Sequence, residues 1–261
     1  MQKTNTIKNS LKGLFFYAAL IIAWQVIAVL GSEVFGFWKT YTFPNPMGVV
    51  ESFLQLIRKG SIFLAIAYSM KRALIGFFLA IVAGTIFGVL ITNYAFLNKN
   101  LKPLLMGIQA LPSVCWVPFA ILWFGLKESA IIFVVVMGSV FSISLAIENA
   151  IRNIPPIYIK AARTMGASKK DLYLHVIFPA AFPGFIAGLK QGWSFAWRAL
   201  MSGEVMSAVV GLGYTLNLGR DMADINQVMA VMIIIIIVGI VIDKYIFSVI
   251  EYKILKKRGM I

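Results

Sequence analysis

Residues 159–184 read IKAARTMGASKKDLYLHVIFPAAFPG. This segment is basic and polar, and Gly and Pro punctuate it. It lies between two of the most apolar regions of the chain. Its local grammar predicts order rather than a floppy connection. Pro155 and Pro156 suit a helix start, where a missing N–H costs nothing. IYIKAARTM continues with good helix formers. Gly166 stands where a helix ends in a positive-φ residue. Ser168, with Asp171 three positions on, resembles a capping box opening a second helix. That helix is expected to run through Leu172, Leu174, Val176 and Ile177 until Pro179 ends it. Residues 153–181 are therefore predicted to form a helix–Gly–helix hairpin. Ala161 and Ala162 would give it a small apolar surface, rimmed by Lys160, Arg163, Lys169 and Lys170. Such a surface fits docking on a partner protein; the competing reading is a solvated basic loop.

Outward from this hairpin the chain is mostly apolar. Of 261 residues, 60% are hydrophobic and 13% charged, and the mean hydropathy is +0.87. A soluble domain carries roughly twice that charged fraction. Apolar runs long enough to cross a bilayer, which takes about 17–25 residues, recur six times. The expected fold class is all-α: a polytopic membrane protein with about six transmembrane helices, read as one domain over 1–261. The spans are placed near 13–32, 73–93, 103–125, 129–148, 183–210 and 226–246. The first reads as a retained helix rather than a removed signal peptide.

The net charge of +14 follows from this topology and does not call for nucleic acid. Placing both termini in the cytoplasm puts 15 of the 24 basic residues on that side, among them Lys3, Lys8, Lys12 and Arg258, and 7 on the other. The cluster from Arg58 to Arg72 is the exception. MGVVESFLQLIRKG (47–60) carries Val50, Phe53, Leu54 and Ile57 at helical spacing, as an interfacial helix or one packed on the spans.

Within the spans, Gly84 and Gly88 form a GxxxG that permits close helix packing. Pro112 and Pro118 are expected to break or kink the third span. Irregular backbone at membrane depth is tolerated where it is buried or lines a cavity, so residues 110–118 are a candidate path lining, with Gln109, Ser113 and Trp116. Cys115 is expected to be a small buried hydrophobe, and His175 has no partner suited to a metal site. In the fifth span Lys190 can snorkel, whereas Arg198 lies deep. A charge there is functional by default, facing the path and favouring an anion, or structurally paired. Glu204 is about 240° around the helix from Arg198, so a direct pair is not expected. Trp193, Trp197 and Glu204 complete the path candidates. No catalytic residue is identified. GxxxxGK[ST] is absent and GLGYTLNLG (211–219) lacks GxGxxG spacing, so this chain carries no nucleotide site.

AARTMGASKKDLYLHVIFPAAFPG resembles the EAA loop of the inner-membrane permease subunits of ABC importers. Ala161 and Ala162 match the alanines, Gly166 the glycine, and Ile177-Phe178-Pro179 the ending. Lys160 stands where that family has glutamate, and Phe178 where leucine is usual. FPNPMGVVESF (43–53), SMKRALIGFFLAIVAGTIFGVLI (69–91), ALPSVCWVPFAILWFG (110–125), GLKQGWSFAWRALMSGEVM (188–206) and GLGYTLNLGRDM (211–222) resemble its nitrate/sulfonate/taurine-type branch. The resemblance implies a MetI-like fold in the inner (plasma) membrane and a second permease copy, expected as a homodimer. It also implies separate ATP-binding ABC subunits carrying ATP and Mg, and a periplasmic or lipid-anchored solute-binding protein. Lys160, Ala161, Ala162, Arg163, Gly166, Ala167 and Ser168 would then form the coupling helix on the ATPase. The implied cargo is a small anion such as a sulfonate, taurine or nitrate. A thiamine-precursor pyrimidine is the alternative within the family, and an ATP-independent secondary transporter the alternative outside it.

Overall fold

Alternating apolar runs and Gly/Pro breaks resolve into helices. A computed structural model describes residues 2–39 and 42–257, and every regular element among them is helical. In chain order these are α1 (Gln2–Val29), with a π-helical extension Leu30–Val34, α2 (Pro46–Arg58), α3 (Ser61–Asn93) and α4 (Ala95–Gln109). A 3₁₀ turn, Ser113–Trp116, leads into α5 (Val117–Phe124) and α6 (Glu128–Arg152). Then come α7 (Pro156–Thr164), α8 (Lys169–Asp171), a π turn Leu172–Ile177 and α9 (Phe178–Val205). Last are α10 (Leu212–Asp221), α11 (Ile225–Ile242), a π turn Asp243–Phe247 and α12 (Ser248–Lys257).

Among the described residues, four helical stretches are long and apolar enough to cross a membrane: Ser61–Asn93, Glu128–Arg152, Lys169–Val205 and Ile225–Lys256. Ala95–Gln109 and Ser113–Phe124 make a fifth if read as one span broken by 101°, and Ala18–Ser32 is a shorter apolar helix. The expected break in the third span is present. Pro112 caps the 3₁₀ turn at φ −56°, ψ 135°, while Pro118 sits in the first turn of α5, where it costs no hydrogen bond.

Several boundaries differ from the sequence expectation. The second helix begins at Ser61 rather than near residue 73, because Lys71 and Arg72 lie inside it. Pro179 does not end the second hairpin helix. It falls in the first turn of α9, directly after the π turn, where Phe178 N–H bonds Tyr173 C=O. The widened turn makes room for the ring that would otherwise clash with the carbonyl four residues back. Arg258 lies outside the described residues, as do the side chains of Lys3, Lys8 and Lys12.

The chain divides into two compact units. One comprises residues 1–65 and 215–235. Its FPNP turn is fixed by hydrogen bonds: Trp24 Nε1 donates to Pro44 C=O at 2.9 Å, and Asn45 N–H donates to Asn226 Oδ1 at 3.1 Å. Asn45 Oδ1 then caps α2 by accepting from Gly48 N–H at 2.6 Å. Met47, Val50, Leu54 and Ile57 of α2 are exposed, whereas Val49 and Leu56 are buried.

The other unit, residues 66–214 and 236–261, is built on α6. Its most apolar window is 61% buried within the chain, against 33%, 28% and 22% for the other three spans, so α6 is the core. Small residues let α9 approach it. A Cβ on Gly188 would lie 2.4 Å from Ala146 Cβ, and one on Gly192 2.5 Å from Ile143 Cγ1. The Gly84–Gly88 pair does the same for α3, where added Cβ atoms would meet Ile143 Cγ2 at 2.8 Å and Ser144 C=O at 2.7 Å. Gly188→Leu is accordingly expected to force α9 off α6, an overpacking cost of about 1–3 kcal/mol. A lowered melting temperature of the detergent-solubilised protein checks this, and an unchanged one refutes it.

Candidate functional site

The polar hairpin follows its sequence grammar closely. Helix α7 ends with Gly166 at φ +79°. Gly166 N–H bonds Arg163 C=O and Ala167 N–H bonds Ala162 C=O, each at 3.0 Å. These two bonds are the Schellman closure of a helix. Ser168 Oγ accepts from Asp171 N–H at 3.2 Å and donates to Asp171 Oδ2 at 2.6 Å, opening the next helix. Ala162 is buried with Ile154, Leu172, Ile177 and Ala181, and Ala150, Ile151 and Ala167 pack on that cluster. Tyr173 hydroxyl donates to Asn93 Oδ1, joining the π turn to the end of α3.

One expectation is corrected here. Ala161 and Ala162 do not share an outward face, because Ala162 points into the hairpin core. The outward apolar face is Ile157, Ala161 and Met165, one helical turn apart, with Tyr158 beside them. Met165 is 87% exposed. Lys160, Arg163, Gly166 and Ser168 are also exposed. Ile157 and Met165 were legible from i, i+4, i+8 spacing, but only if the face was counted from Ala161.

The second site is a cavity of about 420 Å³ at the break between α4 and α5. Gln109, Ser113 and Trp116 line it from the break, and Arg198 lines it from α9. Met137, Gly138, Phe141, Phe195 and Ser202 are also on its wall. Ser113 and Ser202 hydroxyls lie 3.3 Å apart. The Arg198 guanidinium lies 4.6 Å from the Phe195 ring centroid, and its Nε donates to Ser194 C=O at 3.1 Å. Among the described residues no carboxylate pairs with it. Cys115, expected to be buried, is exposed in the 3₁₀ turn, because that turn leaves the helix core at the break.

Trp193 and Trp197 do not line this cavity but share a second one with Arg198, and Glu204 lines neither. Trp193 is buried edge-on to Phe77 at 5.2 Å and lies against Phe247 at 5.8 Å. Trp197 lies 6.2 Å from Trp193, and its indole is close against Gly239. Glu204 is fully buried and accepts from Arg72 at 2.7 Å, from Ser69 at 2.7 and 2.8 Å, and from Gly213 N–H at 3.0 Å. Arg72 also donates to Glu128 at 3.1 Å and to Val210 C=O at 2.7 Å. A side chain on Gly211 or Gly213 would strike Glu204 at 2.5 Å, so the GLG of 211–213 wraps a carboxylate rather than a phosphate. Lys190 does not need to snorkel, because Ser248 and Glu251 accept from it at 3.1 and 3.3 Å. The pair Lys102–Glu148 was not foreseen either: Lys102 Nζ donates to both Glu148 oxygens at 2.9 and 2.8 Å.

Comparison with known proteins agrees with this geometry. The sequence pattern of the family described as "Binding-protein-dependent transport system inner membrane component" matches residues 76–256. A Bacillus subtilis protein named as an aliphatic sulfonates transport permease is 31% identical over 95% of this chain and 88% of its own. Its Escherichia coli namesake is 32% identical over 86% and 84%. A nitrate import permease of Synechocystis is 26% identical over 88% and 84%. Among solved structures, an inward-facing MetNI methionine ABC transporter matches with a TM-score of 0.65 at 20% identity, covering 74% of this chain and 96% of that one. The expected all-α, MetI-like fold is thus found. The chain is a membrane-embedded permease and belongs to the family of inner membrane components of binding-protein-dependent transport systems.

Proposed function

We propose that this chain forms the translocation path for a small anion, such as a sulfonate, taurine or nitrate, in an ATP-driven importer. The observation that carries this reading is Arg198, a guanidinium without a carboxylate partner among the described residues, on a cavity at a broken helix. Guanidinium presents a planar fork of donors suited to oxyanions. Gln109, Ser113 and Ser202 add neutral hydrogen-bonding groups, and Trp116 and Phe141 an apolar wall. The names of the sulfonate and nitrate relatives point to the same cargo chemistry.

Energy enters at the hairpin. Lys160, Ala161, Arg163 and Gly166 to Ser168, with Ile157 and Met165, present the coupling surface to an ATPase subunit that carries ATP and Mg; Ala162 braces it from inside. A second copy of this chain completes the permease as a homodimer, and a solute-binding protein delivers cargo from outside. Both termini are cytoplasmic and the protein resides in the inner membrane. Transport is alternating access between two states, biased by ATP on one side and by the loaded binding protein on the other.

Arg198→Gln tests the path. A charge-assisted hydrogen bond is worth about 1.5–3 kcal/mol, so uptake of labelled taurine or nitrate should fall roughly 10- to 150-fold. ATPase co-purification should persist. Undiminished uptake of every anion tried removes Arg198 from the path.

A further inference from the structure

We propose that the Lys102–Glu148 pair is the joint that carries movement of the hairpin to the cavity at the helix break. The proposal rests on the reading that the hairpin docks an ATPase. The hairpin is seated on the end of α6 through Ala150, Ile151 and Ile154. Glu148 lies two residues before Ala150 of that seat, 1% exposed, and Lys102 projects to it from α4. From Lys102, α4 continues for seven residues, about 10 Å of helix, to Gln109 on the cavity wall. Arg152, 65% exposed, is a longer second partner of Glu148 at 3.5 Å.

The chemistry suits a joint better than a simple brace. A buried ion pair is often no more stabilising than a well-packed apolar contact, so what it adds is a fixed geometry. A carboxylate holding one ammonium through both oxygens fixes the axial position of α4 along α6. Displacement of the α6 end then moves α4 with it, and with α4 the near half of the break. Lys102 and Glu148 are thus positioning residues that do not touch cargo.

Cys115, the only cysteine of the chain, is exposed at the break and reports its state without knowledge of the cargo. In the assembled complex, the rate of Cys115 modification by a methanethiosulfonate reagent is measured with and without ATP and vanadate. The wild-type rate should change by about tenfold or more, as expected when a two-state equilibrium is driven across. Lys102→Met and Glu148→Gln should keep the ATPase bound yet lose the change, and Lys102→Glu combined with Glu148→Lys should regain it. Single variants that respond like wild type overturn the joint while leaving the docking reading intact. If neither single variant assembles, the pair is a folding element and the proposal falls. A wild-type complex whose Cys115 rate ignores ATP overturns the joint, and a wild-type chain that does not hold the ATPase overturns the docking reading and the joint together.

Discussion

Replacing Glu204 with alanine is expected to lower the melting temperature of the solubilised protein by about 6 °C or more. Glu204 is fully buried, and so is the Arg72 guanidinium it holds at 2.7 Å. Removing one partner of a buried pair costs about 3–5 kcal/mol, because the other charge stays in place with too little around it. At about 2–4 °C per kcal/mol for a chain somewhat smaller than this one, that loss is readily measured. Against a total stability of about 5–15 kcal/mol, it should also cut the yield of assembled protein. Glu128, the second carboxylate on Arg72, is part-exposed at 3.1 Å and is too wet to compensate. The loop carrying Val210, Leu212 and Gly213 loses its anchor as well, since all three backbone groups bond into this cluster. An apolar double replacement, Arg72→Met with Glu204→Leu, should recover only the part due to the unpaired charge, because Val210 C=O and Gly213 N–H then lose their partners. A Glu204→Ala protein that melts within about 2 °C of wild type would show that the carboxylate does not hold the cluster together.

Replacing Gly166 with valine should uncouple the protein rather than unfold it. A Cβ at this position meets nothing within 4 Å, so the effect is not a clash with neighbours. It comes from φ +79°, which a β-branched residue adopts only with strain. A strained residue of this kind costs about 1–3 kcal/mol. If the hairpin relaxes to escape that cost, the Schellman closure opens and the Ile157–Ala161–Met165 face loses its fixed relation to Ala167 and Ser168. Restoring the docked geometry against the same cost weakens ATPase binding by roughly 5- to 150-fold. ATPase co-purification and uptake should fall together while the melting temperature changes little. Gly166→Asn, which tolerates the left-handed region, should retain both.

The hairpin was legible because its signals are local. Pro156, Gly166 and the Ser168/Asp171 pair each act on backbone within three residues of themselves. The break at Pro112 was legible for the same reason. Arg72 and Glu204 were not: they are 132 residues apart in sequence, and nothing local in either stretch names the other. Treating charged residues as the ends of apolar runs also set the start of the second span too late, because Arg72 is neutralised inside the fold and does not belong in a loop charge count. Pro179 misled in the opposite direction. A proline reads as a helix stop unless a π turn precedes it, and LYLHVI gave no sign of one. At the cavity, Arg198 stood out because a deep charge is rare. Ser202 carried no such signal, and its place beside Ser113 depends on how α9 packs against the break.

The most direct test of the account is uptake of labelled taurine, aliphatic sulfonate or nitrate into liposomes holding this chain with its ATPase subunits, with the solute-binding protein outside. Uptake is expected only when ATP is enclosed and the binding protein is present, and it should be lost when residues 160–167 are deleted. Uptake that proceeds without ATP, or that survives the deletion, would contradict it.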